Sequence, residues 1–161
     1  MRFVLLFVLY LLVGDFGLTI PFVDKNFIKP WTQANALVAA GLVRLFGMRS
    51  EARGLIVSCE HATLSVKTGC NGVEALIILA SAILAFPSRW AHRCLGLVLG
   101  AIVIFGLNLL RLTNLLLVAA YSPERLELYH GYIWPTLIVL IAFGLFLLWG
   151  TFLVGRSRGD P

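Results

Sequence analysis

The sequence predicts an all-α membrane protein: a multi-pass helical bundle of about four spans, with one further amphipathic or partly inserted helix and a small extracytoplasmic β-hairpin. Three observations carry that expectation. Of 161 residues, 60% are hydrophobic and 13% charged, with mean hydropathy +0.92, whereas soluble domains carry about 25% charge and about 45–50% apolar residues. The apolar residues fall in runs near the roughly 20 needed to cross a hydrocarbon core. The runs are continuous rather than alternating, which excludes an outer-membrane barrel. A cytosolic enzyme and a soluble nucleic-acid binder are excluded with it. The net charge of +5 fits loop arginines that orient helices and meet anionic lipid, so the partner is the bilayer and no nucleic acid is called for.

The first element is the apolar stretch 3–23, in which Asp15 is the one interior charge. It lacks the shorter apolar region and small-residue cleavage site of a secretory signal, and it reads as an uncleaved first span. Residues 32–47 are shorter and carry Gln33, Asn35 and Arg44; Leu37, Ala40, Gly41 and Leu45 share one helical face, which suggests an amphipathic helix. Residues 54–59 and 62–66 alternate around Glu60 and His61 and read as a β-hairpin. The next helix starts at Thr68-Gly-Cys-Asn-Gly72 and stops before Pro87. A basic loop with Arg89 and Arg93 leads into the run 94–120, apolar apart from Asn108, Arg111 and Asn114. A polar loop, 122–127, precedes the last helix, expected over about 131–154. No repeat or linker divides the chain, and residues 1–161 read as one integral membrane domain. Short arginine-bearing flanks put both termini and the 89–93 loop in the cytoplasm if the 32–47 helix does not span; if it does, every later loop changes sides.

Helix arithmetic then brings three reactive side chains together. Cys70 precedes Pro87 by the same number of positions as Arg111 follows Cys94. At about 1.5 Å per residue both stand roughly 25 Å from the shared loop. Two helices joined by a short loop are antiparallel neighbours, so Cys70 and Arg111 reach a similar depth at the opposite face. His130, at the start of the last helix, reaches the same face. A thiol at a helix N-terminus, near a cation, is disposed to form a nucleophilic thiolate. The backbone amides of Asn71, Gly72 and Val73 point toward it, and Gly69 and Gly72 permit close approach of a peptide backbone. An arginine holds a developing oxyanion, and a histidine shuttles a proton to the leaving amine.

Plainer readings stand beside these. Cysteine is often simply buried packing, and Arg111 has Asp15 or Glu74 as a possible structural partner. A histidine in an interfacial loop has an ordinary solvated role as well as a catalytic one. Asn108 and Asn114, three residues either side of Arg111, serve equally as interhelical glue or as groups that orient a site. Glu74 most simply pairs with an arginine. Cys59, His61 and Cys70 are too few and too widely spaced for a closed zinc site, so no metal and no cofactor is expected. A Cys59–Cys70 disulfide is a competing use of the thiol in an oxidising compartment, while Cys94 looks inert.

At these residues the sequence resembles the exosortase/archaeosortase family of membrane transpeptidases. The matching pattern is Thr68-Gly-Cys70-Asn-Gly-Val73 at a helix start, Gly106-Leu-Asn108-Leu-Leu-Arg111 within a helix, and His130 before the final span. It runs from about residue 50 onward, and the segments before that point match as generic membrane helices. Asn71 stands where serine is common, and the chain is shorter than the many-helix members; it is most similar to the small exosortase H type, associated with IPTLxxWG-like sorting signals. The resemblance implies catalytic Cys70, Arg111 and His130, with Asn71, Gly72 and Asn108 in support. It implies a cysteine transpeptidase or protease of the bacterial inner membrane, its site facing the extracytoplasmic side. The substrates would be exported proteins ending in a motif, a transmembrane helix and a basic tail, passed through a thioester to an acceptor nucleophile. The alternatives from the residues are a non-enzymatic assembly factor or small transporter subunit, or a chaperone that holds sorting tails without cutting them.

Overall fold

The computed structural model describes residues 1–66 and 71–154, the side chains of 153 and 154 excepted. Helix α1 spans Arg2–Leu18 and stops where the residue before Pro21 is forced extended: Ile20 has φ −77° and ψ 120°. Helix α2, Pro21–Leu45, leaves at 70° to α1 and contains a π turn at Asp24–Ile28. The expected helix 3–23 is therefore two elements, and the expected helix 32–47 begins well before its predicted start, at Pro21. A three-stranded antiparallel sheet follows: β1 (Ser50–Arg53), β2 (Ile56–Cys59) and β3 (Ala62–Ser65), in the order β1-β2-β3. The expected hairpin is its second half; β1 joins it because the Ser50 hydroxyl donates to the Ala40 carbonyl at 2.6 Å and Arg44 Nε donates to the Ser50 carbonyl at 2.8 Å. Helices α3 (Val73–Ala85), α4 (Trp90–Tyr121) and α5 (Pro123–Phe152) complete the chain.

Two helices, α4 and α5, are each long and apolar enough to cross a membrane, and the bent α1–α2 pair makes a third candidate if it counts as one span. The segment expected to be the second of four spans, α3, has only 13 helical residues, about 20 Å of rise against a core of about 30 Å. The last helix also begins earlier than expected. Residues 122–127 are not a loop: Ser122 breaks α4 with φ −150°, Pro123 occupies the first helical position, and Glu124 and Glu127 fall in the opening turns. Proline there sacrifices no helical hydrogen bond, and carboxylates favour the positive end of the dipole. His130 consequently sits inside α5, in a π turn at Tyr129–Ile133, rather than at the end of a loop.

Of the face that Leu37, Ala40, Gly41 and Leu45 were expected to share, only Ala40 meets the protein. Thr32, Asn35, Ala36, Ala39, Ala40 and Val43 are buried, whereas Leu37 and Leu45 are 66% and 81% exposed and Gly41 is exposed too. In a membrane the large apolar side chains lose nothing by facing lipid, and helices close on their small residues. Those alanines pack with Met48, Val57, Val66, Leu112 and Leu116 into one core joining α2, the sheet and the far end of α4. A second core joins α3, α4 and α5 through Ala75, Leu79, Ile83, Ile104, Ile138, Ala142 and Trp149. Here two glycines set the spacing: a Cβ at Gly96 would strike the Trp149 indole, and one at Gly100 would strike Leu79 Cδ2. At the same end Trp149 Nε1 donates to the His92 carbonyl at 2.7 Å, and Phe3, Phe86 and Phe146 gather around it. The beginning of α1 and the end of α5 thus lie beside the basic loop.

Candidate active site

Helix α4 carries the polar residues away from that loop. Arg111 lies about 32 Å along the axis from Trp90, at the rise of an α-helix. It stands where the sheet packs on the helix and is 5% exposed, flanked by buried Asn108 one turn before and half-buried Asn114 one turn after. An arginine at this depth is costly unless the surroundings hold its donors. Asp15, offered by the sequence as a partner, is exposed on α1, which packs on α3, and makes no ion pair among the described residues. Glu74 is likewise exposed in the first turn of α3 and makes none there, so the arginine pairing expected for it is not found among them.

A chain of neutral hydrogen bonds links α4 to the start of α3 through α2. Asn108 Nδ2 donates to Asn35 Oδ1 at 3.0 Å, and Asn35 Nδ2 donates to the Trp31 carbonyl at 2.9 Å. Because Asn35 spends its amide on that carbonyl, its oxygen must face Asn108, and Asn108 must answer with its own amide. Beside this pair, Asn71 Nδ2 donates to Thr32 Oγ1 at 3.0 Å, and Thr32 Oγ1 donates to the Ile28 carbonyl at 2.7 Å. Trp31 Nε1 donates to the Asn71 carbonyl at 2.9 Å. Asn71 is wholly buried and also accepts from the Val73 amide through Oδ1 at 3.2 Å, an Asx turn that leads into α3. Buried polar groups are tolerated when joined in this way.

Gly72 completes the junction. Its φ of +76° is the left-handed conformation that glycine adopts without penalty, and a Cβ there would lie 3.2 Å from Asn108 Cβ and Cγ. Asn71, Gly72 and Asn108, expected to support the site, are therefore in one packed unit. Trp31, Thr32 and Asn35 belong to it as well, and the sequence reading missed their part. Thr32 and Asn35, three apart on a stripe continued by Ala36, Ala39, Ala40 and Val43, were the available signal. Cys70 lies outside the described residues, as do Lys67, Thr68 and Gly69. The competing disulfide needs Cys59 as its other half, and Cys59 is a free, half-buried thiol; Cys94 is free and exposed.

His130 reaches the same end from α5. One helical turn later, Trp134 Nε1 donates to Asn114 Oδ1 at 2.9 Å, which ties α5 to α4 one turn beyond Arg111. Between α4, β3 and the start of α5 lies a cleft of about 450 Å³, lined by Leu64, Ser65, Val66, Leu112, Leu115, Pro123, Leu126, Glu127 and His130. Its volume is that of a small-ligand site. Exposed His130 lines it, together with Leu112, the residue after Arg111, and Leu64 and Ser65 of β3. Such a cleft admits a few residues of extended peptide beside an imidazole. Among the described residues there is no cluster of His, Cys, Asp and Glu able to hold a metal ion.

The family model described as Transmembrane exosortase (Exosortase_EpsH) matches residues 1–150. The match takes in α1 and α2, which the motifs alone had left as generic membrane helices. No curated protein and no solved structure matches the chain.

Proposed function

Since the chain belongs to the transmembrane exosortase family, we propose that it is a cysteine transpeptidase or protease of the bacterial inner membrane acting on C-terminal sorting signals of exported proteins. In this reading the site faces the extracytoplasmic side, where the transmembrane helix of the signal packs laterally and its motif enters the cleft. The observation that carries the proposal is the cleft itself. It brings together His130 of α5, Leu112 of α4, which follows Arg111 in the chain, and Ser65 of β3; the assignment of Cys70 to it belongs to the proposal. A charge buried at the edge of an apolar slab is expensive, and its presence beside an imidazole-lined cleft favours a reaction over packing.

The steps follow from the residues. The Cys70 thiolate attacks the scissile carbonyl, and the tetrahedral oxyanion is held by Arg111 and by amides at the start of α3 other than that of Val73, which is bonded to Asn71 Oδ1. His130 delivers a proton to the departing amine, and the C–N bond breaks to leave a thioester on Cys70. An acceptor nucleophile, or water, then attacks the thioester and returns the thiol. Asn71, Gly72 and Asn108 hold the geometry. The rival reading, an assembly factor in which Arg111 pairs with Asp15, loses support from the exposed position of Asp15.

Replacing Cys70 with alanine tests the proposal. Co-expressed with an exported protein bearing motif, helix and basic tail, the variant is expected to insert normally and to leave the tail uncleaved. Normal cleavage by that variant refutes the nucleophile.

A further inference from the structure

The sheet has an open edge that the mechanism leaves unused. In the order β1-β2-β3, β1 is backed by α2 while β3 ends the sheet on the side of the cleft. The backbone phase of β3 follows from one bond. The Val66 amide donates to the Leu55 carbonyl at 2.7 Å, and the register pairs Ser65 with Ile56 and Leu64 with Val57. Opposed residues in an antiparallel ladder alternate between bonded and non-bonded pairs. Ala62, Leu64 and Val66 therefore turn their N–H and C=O groups toward β2, and Thr63 and Ser65 turn theirs outward. The cross-strand Thr63–Ser58 hydroxyl contact of 3.2 Å agrees, since side chains approach more closely at non-bonded pairs. No backbone hydrogen bond reaches the outer side of Thr63 or Ser65 among the described residues.

An unpaired strand edge is a template for another strand. Ser65 presents this one to the cleft, with Leu112, Leu115 and Leu126 as an apolar bed and Glu127 and His130 on the wall. We propose that the outer edge of β3 is the docking line for an extended peptide, the part of the sorting signal around its scissile bond, which joins the sheet as a fourth strand. Main-chain bonds to Ser65 and Thr63 fix its register. Its alternate side chains rest on the leucines, so the recognised segment carries apolar residues at every second position. Ser65 stands a short way before Cys70 in the chain, so the strand that binds the peptide is the one that leads to the nucleophile. The inference rests on the peptidase reading above.

The experiment uses the full chain with Cys70→Ala, in nanodiscs, and a fluorescein-labelled synthetic peptide of the IPTLxxWG pattern, with binding read by anisotropy. Ser65→Pro removes an outward N–H and leaves the ladder to β2 intact, because proline is accepted where a strand's N–H faces away from its neighbour. It is expected to weaken binding at least ten-fold with an unchanged melting temperature. Peptides N-methylated at one amide at a time are expected to lose affinity at alternate positions only, and this scan decides the matter if Ser65→Pro itself melts early. Losses without alternation, an unaffected Ser65→Pro, or no binding of the probe overturn the proposal. So does a second copy on the edge, seen as a dimer that Ser65→Pro converts to monomer. With Cys70 restored, alternation without cleavage refutes the peptidase and keeps the docking edge. Cleavage without alternation does the reverse.

Discussion

The indole nitrogen of Trp134 donates to the side-chain oxygen of Asn114 at 2.9 Å, one helical turn from His130 on one helix and one turn from Arg111 on the other. This bond sets the rotation of α5 about its axis relative to α4. Trp134→Phe keeps the ring in the apolar core and removes only the donor. The expected cost is about 1 kcal/mol of stability, measured as a lower melting temperature in detergent, with a several-fold slower processing of a co-expressed sorting tail. Processing at the original rate would show that the rotation of α5 has no bearing on the reaction.

Arg111→Lys separates a planar donor from a point charge. Lysine preserves the charge but not the fork of N–H groups. Loss of an oxyanion donor lowers turnover by about 100- to 1,000-fold, and that is the expected fall in processing at equal membrane level. Full activity in Arg111→Lys would count against the oxyanion role.

The α2 clamp predicts a split between binding and turnover. Trp31→Phe keeps the ring contact with Phe105, whose centroid lies 5.0 Å away, and deletes the bond to the Asn71 carbonyl. Asn35→Leu strands the Asn108 amide, an unsatisfied buried donor costing about 1–3 kcal/mol. Both variants are expected to lower kcat for a peptide substrate with little change in KM, because the groups they release, the Asn71 carbonyl and the Asn108 amide, belong to the junction at the start of α3 and do not line the cleft. A rise in KM at constant kcat would assign α2 to substrate binding instead.

Gly72→Ala tests the junction where conformation and space coincide. A non-glycine residue in the left-handed region costs about 1–2 kcal/mol, and the added Cβ presses on Asn108 at 3.2 Å. Slower alkylation of Cys70 by iodoacetamide and at least ten-fold slower processing are expected. A variant with native alkylation and processing would show that this backbone geometry is dispensable.

What the sequence disclosed depended on contrast. Asn108, Arg111 and Asn114 stand out because each interrupts an apolar run; rise per residue gave Arg111 its depth, and the order of the helices gave His130 the same face. Thr32 and Asn35 did not stand out, because α2 carries polar residues on several faces. The amphipathic pattern of Leu37 and Leu45 was legible, but it did not say that the opposite, small-residue stripe is the one that meets the protein. The apolar run 68–86 reads as long enough to cross, yet its helix has only 13 residues, because Asn71 and Gly72 are committed to the junction. The early start of α5 was obscured by Pro123, which reads as a loop residue and acts as a helix initiator. The β3 edge needed the ladder phase, which depends on which carbonyl the Val66 amide meets.

The groups that fasten α2 to the start of α3 are indole, hydroxyl and carboxamide, and none of them gains or loses a proton in the range where enzymes are assayed. The clamp itself is thus silent in acid–base titration. A pH–rate profile of this protein therefore carries no contribution from titration of the clamp. Activity lost at an extreme of pH and regained on return to neutrality would be read as chemistry.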